Sequence, residues 1–309
     1  MVEERIEKAC KVIENGCLDK YTSGEYLRIF SFTNENLSYM GLFDYKGKNV
    51  LTTGSSLDQT INLISCGCKD ITILDTNPFV IDYGNLKIAA HKLLDPKDFL
   101  CFLHGTELHS LFSKSKIVFD PDTYSRISKE IPEESRKFWD TLFNKYDPVT
   151  IKKQLFNLDD ELSKKSIIKN NYYLDPENYK KVRGLYDKVN IKFCHDRIPS
   201  LKHLTGTYHY IYLSNIFAAI TNIASRITPE EKFEARLEYK ARIKQLMSYL
   251  KEDGILFYDY IWEAKDSDDE LFYEQELKKF SEEIIVPSSK QFPGDYDLVY
   301  MAKKRALKK

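Results

Sequence analysis

The chain has 309 residues, with 46 basic against 47 acidic side chains and a net charge of −1 at pH 7. A balance that even gives no bulk electrostatic pull toward polyanions, which argues against nucleic acid as a partner. The length, with 42% hydrophobic and 13% aromatic residues, suffices for one large α/β domain or two small ones.

Residues 1–45 read as an N-terminal helical cap. Ile6, Ala9, Cys10 and Ile13 form a helical stripe that ends before Gly16. The segment from Tyr21 to Asp44 is rich in aromatics and carries a polar cluster, Thr33-Asn34-Glu35-Asn36, next to Phe30 and Phe32. Either this cluster belongs to an active site, or Asn34 only caps a short helix. Residues 46–112 then read as a strand-turn-helix-strand-helix unit. Asn49 to Thr53 is a short β-branched run that ends in Gly54-Ser55-Ser56-Leu57-Asp58-Gln59. Thr60 to Ile64 can form a helix that Gly67 stops. Asp70 to Leu74 supplies a second strand ending on Asp75, and Pro78 to Leu94 is helical, with proline in the first turn.

Gly54 and Asp75 are 21 positions apart. In doubly wound sheets an acid about 20 residues after the glycine turn accepts hydrogen bonds from ribose hydroxyls. The turn has a single glycine, however, and a pyrophosphate pressed against a helix start needs several. There is no GxxxxGK[ST] loop either. A ligand with ribose and adenine but no phosphate fits better, and S-adenosylmethionine (SAM) is the common one. Its expected contacts are Gly54, Ser55, Ser56, Asp58 and Gln59 at the first turn, and Asp75, Thr76 and Asn77 at the second. The alternative is that Asp75 and Asn77 only cap the next helix.

Val50-Leu51-Thr52-Thr53-Gly54-Ser55-Ser56, Asp75-Thr76-Asn77-Pro78, Asn85-Leu86-Lys87-Ile88-Ala89-Ala90 and Asp98-Phe99 together resemble class I SAM-dependent transferases. Within these, the Asp-x-Asn-Pro and Leu-Lys-x-Ala-Ala pieces are most similar to the 3-amino-3-carboxypropyl transferases that build the betaine-lipid headgroup. The resemblance covers about the first hundred residues. It implies a Rossmann-like α/β fold: a doubly wound, seven-stranded sheet with a closing antiparallel hairpin. It also implies that Gly54 and Ser55 meet the amino acid part of SAM, that Asp75 binds the ribose, and that Asp196 accepts the adenine amine. The family's Trp-Glu-Asp before the first strand has no counterpart here, since the tryptophan is missing near Glu35.

Further along, Pro96 to Phe112 reads as a continuing helix. His104 and His109 are five apart and so do not share a helix face as a metal pair would. Residues 113–188 shift to polar composition and read as a helical insertion, a wall or lid over the crevice. Tyr172 and Tyr173, after Asn170-Asn171, can grip a polar acceptor, or sit in an ordinary polar loop. Residues 189–309 return to strand and helix alternation. Val189 to Cys194 is the third strand, ending at His195-Asp196, and Tyr208 to Leu213 is the fourth. Ser214 and Asn215 at its end should face the reacting centre. Thr228-Pro229-Glu230-Glu231 opens a long helix to Leu250, with Phe233, Leu237, Ile243 and Leu246 expected inward and Gly254 after its end. Ile255 to Tyr260 is the fifth strand, Asp268 to Phe280 a helix, and two strands close the chain at 284–286 and 296–302, before a basic tail.

Six cysteines without zinc spacing predict a reducing, cytoplasmic setting and no metal. The charged start lacks an apolar leader, and no run is long enough to span a bilayer, although peripheral membrane contact stays open. The expected activity is alkyl transfer from SAM to a small-molecule or lipid acceptor, the aminocarboxypropyl group ahead of methyl. Glu35, Asp196 and Asp259, in that order, are the candidate bases, and Glu35, Ser214, Asn215, Tyr172 and Tyr173 the expected catalytic set. A nicotinamide oxidoreductase and a non-catalytic protein that keeps the fold are the other readings.

Overall fold

The structure, a computed structural model, describes residues 1–16, 27–33, 35–54, 56–104, 118–157, 164–196, 201–214, 228–262, 282–287 and 296–304. Asn34, Ser55, Asn215, His109, the expected helix from Asp268 to Phe280 and the tail beyond Lys304 lie outside them, as do the side chains of Asp259 and Tyr260.

Seven strands make one sheet: β1 (Asn49–Thr53), β2 (Asp70–Asp75), β3 (Asn190–His195), β4 (Tyr208–Tyr212), β5 (Leu250–Trp262), β6 (Glu282–Pro287) and β7 (Tyr296–Lys303). Their spatial order is β3-β2-β1-β4-β5-β7-β6. Neighbours from β3 to β5 are parallel, and β7 lies antiparallel between β5 and β6. This is the expected doubly wound sheet with its closing hairpin. The order reverses between β1 and β4, which puts a crevice outside their carboxyl ends.

Strand alternation divides the core in two. Val50, Ile71, Ile73, Tyr212 and Phe257 face the helices that follow β1 and β2, with the Tyr212 and Phe257 rings stacked at 4.3 Å. Leu51, Leu74, Ile211, Leu256 and Tyr258 face the other way. The first face is covered by α2 (Asp58–Ser65) and α3 (Val80–Leu93), and the second by α10, introduced below. Gly84 of α3 lets that helix press against the sheet, because a Cβ there would lie 2.8 Å from Phe193 and from Leu57.

Between α3 and β3 the described residues include the helices α4 (Pro96–Leu103), α5 (Pro121–Ile127), α6 (Glu133–Lys145), α7 (Pro148–Leu155), α8 (Lys164–Asn170) and α9 (Pro176–Arg183). Four of these begin with the same dipeptide. Asp95, Asp120, Asp147 and Asp175 each precede a proline at the first helical position. Their carboxylates accept the amides of Asp98 (2.9 Å), Thr123 (2.7 Å), Thr150 (2.9 Å) and Asn178 (3.2 Å). The aspartate satisfies an orphan donor where proline has none to offer.

Four expectations need correction. The helix from Pro96 stops at Leu103 instead of running to Phe112, because buried Lys152 donates to the carbonyls of Leu103 (3.1 Å) and His104 (3.0 Å) and closes its end. A helix expected within 113–188, from Pro148 to Leu162, ends at Leu155, where Phe156–Asn157 leaves it to pair in parallel with Ile29–Phe30. In α10 (Pro229–Met247), Ala235, Tyr239, Ile243 and Leu246 face inward, whereas Phe233 and Leu237 are 53% and 42% exposed. They sit about 200° around the helix from Ala235, so apolarity alone picked the wrong face. Gly254 is no cap of this helix and lies inside β5.

The α1 helix (Val2–Asn15) packs on α6 and α7 and is tied to α3 by a buried ion pair. Arg5 Nε donates to Asp82 Oδ2 (2.7 Å) and Arg5 Nη2 to Oδ1 (3.1 Å), and Ser135 of α6 adds a third bond (2.9 Å). Burial pushes the Asp82 carboxyl up against the pull of Arg5. Removing one partner strands the other charge, so Asp82→Ala should cost about 3–5 kcal/mol in urea unfolding, most of it recovered by Arg5→Met with Asp82→Leu.

Candidate functional site

The first turn is built around one glycine. The Gly54 amide extends the ladder to the Leu74 carbonyl (3.2 Å), and the Leu57 amide returns to the Gly54 carbonyl (2.6 Å). Leu57, at φ 63, then launches α2. A Cβ on Gly54 would collide with Val80 Cγ1 and lie 2.8 Å from Asp75 Oδ2. The tips of β1 and β2 are therefore in contact, with a carboxylate at the seam. Asp75 Oδ1 accepts the Asn77 amide (2.8 Å), Asn77 Oδ1 accepts the Phe79 amide (2.9 Å), and Asn77 Nδ2 reaches the Arg28 carbonyl (3.0 Å). Asn77 thus does what a capping residue does, two residues ahead of the helix cap, and also anchors the segment before β1. Thr76 is exposed, with its carbonyl 3.0 Å from His195 Nε2.

At the tip of β3 the Asp196 amide bonds the Asp75 carbonyl (3.0 Å), and Asp196 Oδ2 accepts the His203 amide (2.6 Å). That carboxylate holds the loop back to β4, and Asp196 is 7% exposed. His195 is the strand-end residue expected of it.

Glu35 comes from the segment before β1 and is buried. Its Oε1 accepts Ser214 Oγ, and its Oε2 accepts Gln59 Nε2 (3.2 Å), whose Oε1 in turn accepts Thr53 Oγ1 (3.2 Å). One carboxylate therefore joins the ends of β1 and β4 and the first turn of α2. Ser214 adopts φ 58, a left-handed conformation that a non-glycine residue holds only when its surroundings dictate it. Tyr39 lies close enough for Glu35 to add to the burial that pushes its phenol well above the usual range. Of the expected catalytic residues, the structure brings together Glu35 and Ser214, and it adds the expected cofactor residue Gln59 to them.

Tyr172, Tyr173 and Asp58 take other places. Tyr173 is fully buried and donates to Asp58 Oδ1 (2.7 Å). Tyr172 bonds Cys66 Sγ and the Asn62 carbonyl (3.2 Å), on the outer side of α2. These two phenols fasten the segment between α8 and α9 to α2. Asp58 is also fully buried, and its Oδ2 accepts the Thr33 amide (2.6 Å). Its carboxylate is engaged within the protein by Thr33, Tyr173 and Lys87. Ser56 is buried as well, its hydroxyl accepting the Asp58 amide (3.3 Å).

Lys87 donates to Asp58 Oδ1 (2.6 Å) beside the Thr33 bond, and the sequence alone assigned it no role of its own. A lysine flanked by Leu86, Ile88, Ala89 and Ala90 was the available signal, because an ammonium in so apolar a run must find acceptors. Among the described residues no cluster of three histidine, cysteine or acidic side chains could hold a metal ion, and no helix is long and apolar enough to cross a membrane.

Replacing Gly54 tests the seam between the two strand tips. Gly54→Ala should cost about 1–3 kcal/mol by overpacking, while Gly41→Ala, where no atom lies within 4 Å, should stay within about 0.5 kcal/mol. Urea titration of both variants reads the difference.

No family model matches the sequence, and no curated protein does. Among solved structures, the chain is similar to a methyltransferase from Pyrococcus furiosus at 9% identity and TM-score 0.38, over 87% of this chain and 81% of that one. It is similar to the N-methyltransferase NodS from Bradyrhizobium japonicum, in complex with S-adenosylhomocysteine, at 9% identity and TM-score 0.37, over 87% and 85%. It is likewise similar to the rRNA methyltransferase aviRa from Streptomyces viridochromogenes at 8% identity and TM-score 0.37, over 86% and 81%.

Proposed function

We propose that this chain is a SAM-dependent transferase that moves an alkyl group onto a nucleophilic acceptor held at the carboxyl ends of β1 and β4. The observation that carries the reading is the seam at Gly54 and Asp75, where a carboxylate on the second strand tip meets a turn with no room for a side chain. Such a cradle suits a ribose diol beside closely approached backbone. The start of α2 also carries no surplus positive charge for a pyrophosphate, because Lys87 there is matched by Asp58. A phosphate-free adenosine fits these groups better than a dinucleotide does.

The residues present divide the work. Asp75 would hold the sugar and the Gly54 turn the amino acid tail. Glu35, set by Ser214 and Gln59, would orient the acceptor and take its proton. SAM supplies a sulfonium carbon open to in-line attack and a neutral thioether as leaving group. Methyl is the least hindered of the three carbons and is the reading favoured here. The two pieces behind the aminocarboxypropyl resemblance make contacts within the protein: Asn77 ties the turn to Arg28, and Lys87 is fully buried. Transfer of the larger group is the second reading. The acceptor is a small molecule, a lipid or a macromolecule, and a nucleic acid is among these despite the even charge.

Incubation with SAM and a cell extract, followed by mass spectrometry of the nucleoside, separates the readings. S-adenosylhomocysteine signals methyl transfer, methylthioadenosine signals aminocarboxypropyl transfer, and an absence of both with no binding heat rejects the proposal. Asp75→Ala should weaken S-adenosylhomocysteine binding by about 10- to 100-fold, the worth of a charge-assisted hydrogen bond. Glu35→Gln should lower turnover by about 10²–10⁴-fold with affinity for the nucleoside kept.

A further inference from the structure

The Leu-Lys-x-Ala-Ala piece of α3 contains a fully buried cation that the reaction outlined above does not use. Lys87 Nζ has three protons and three acceptors: the Ser31 carbonyl (2.8 Å), the Ser56 carbonyl (2.8 Å) and Asp58 Oδ1 (2.6 Å). It also sits over the Phe32 ring at 4.2 Å. Each acceptor belongs to a part of the crevice. Ser31 precedes Thr33, whose hydroxyl accepts the Glu35 amide (3.1 Å) and whose own amide donates to Asp58. Ser56 lies in the Gly54 turn, and Asp58 opens α2. Tyr83, one turn earlier on α3, donates to the same Ser31 carbonyl (2.7 Å).

We propose that Lys87 is the positioning residue of the crevice: its ammonium fixes the Ser31–Glu35 segment, which carries the acceptor-side carboxylate, against the Gly54–Asp58 turn, which holds the nucleoside side. Neither segment is otherwise bound to the other through regular secondary structure. The Thr33 amide bond to Asp58 and the Gln59 bond to Glu35 join them, and both depend on where Lys87 holds Asp58 and Ser31. A neutral amine has two protons for the three acceptors and no charge for Asp58, so the deprotonated side chain cannot make the same clamp.

The clamp has a readable pH window. Burial lowers the Lys87 ammonium to about 8, against the opposing pull of Asp58. The groups facing it are Asp58 from α2, the Phe32 and Tyr83 rings, Tyr173 through Asp58, and His91 one turn along α3, which burial holds neutral down to about 3. None of these three aromatic hydroxyls and imidazoles changes charge between pH 7 and 9. The folded-state value lies below the usual 10.5, so between the two the unfolded chain holds more protons, and global stability from this group rises with pH. A loss of ligand affinity over that window is therefore not unfolding.

The experiment rests on the SAM reading for its ligand and carries a second readout that does not. S-adenosylhomocysteine is titrated calorimetrically into the parent protein from pH 7 to 9.5, and amide hydrogen exchange is followed in residues 31–35 and 56–58 over the same range. With about a tenth of Lys87 still charged one unit above its pKa, apparent affinity at pH 9 should fall about tenfold. Protection of those amides, corrected for intrinsic rate, should fall with it while the β1–β2 ladder stays protected. Lys87→Met should show the weaker binding and the local loss of protection already at pH 7. Lys87→Arg, which keeps its charge, should show no fall between pH 7 and 9, and the ligand's own amine titrates equally in both proteins. Affinity and protection that stay flat in the parent overturn the proposal even if Lys87→Met fails to fold. A parent that never binds the nucleoside but loses protection at 31–35 and 56–58 rejects the SAM reading and keeps the clamp.

Discussion

A single ammonium with no solvent around it sets most of the relations in this molecule. Moving Lys87 and Asp58 out of water costs several kcal/mol per ion, and their mutual attraction offsets that only when every remaining hydrogen bond is made. Here it is made: three acceptors meet the ammonium, and Asp58 takes a phenol and an amide on its other positions. Such a pair contributes little net stability, because an apolar pair of the same volume would pack without the desolvation. What it contributes is register. An apolar contact tolerates a slide of an ångström, whereas a three-way hydrogen-bonded charge does not.

The second constraint is the division of the sheet into two faces. Strand alternation sends Val50 and Ile73 toward α2 and α3, and Leu51 and Leu74 toward the opposite side. The tips of all the parallel strands then point the same way, so functional groups need only lie at carboxyl ends to converge. Gly54, Asp75, Asp196 and Ser214 do so from four different strands. Residues that point into the faces, such as Tyr212 stacked on Phe257, make the platform rigid. The insertion adds a further layer, and its phenols act as fasteners to α2.

Local signals in the sequence were enough for the sheet. Most strands are short β-branched or aromatic runs bounded by turn residues, β5 with its polar start at Leu250 being longer than expected, and period, length and punctuation are properties of neighbouring residues. The Gly54 turn and the Asp75 tip were readable for the same reason. The partners of Asp58 were not: Lys87 is 29 positions away and Tyr173 is 115, and no spacing rule links them. Tyr172 and Tyr173 next to Asn170 and Asn171 read as a polar gripping loop because local composition does not reveal burial. The phase of α10 failed for a different reason. Phe233 and Leu237 are the bulkier apolar residues, but the inward stripe is set by Ala235 and Tyr239, which the second face of the sheet selects. The four Asp-Pro pairs are helix caps, each aspartate accepting an amide of the first turn.

Two left-handed residues, Leu57 and Ser214, stand at the two sides of the crevice. Each costs of order 1–3 kcal/mol, so each persists only where neighbouring contacts leave no alternative. At Leu57 the constraint is the tight return to the Gly54 carbonyl together with burial of its side chain. At Ser214 it is the bond to Glu35, whose amide is held by Thr33 and whose far oxygen is held by Gln59. Leu57 sits between Ser56 and Asp58, both of which accept from Lys87, and Ser214 connects to Asp58 through Glu35 and Thr33. Two of the four left-handed non-glycine residues among those described therefore border the crevice, joined to the buried charge pair by short chains of contacts, and the crevice keeps its shape through a core that is itself polar.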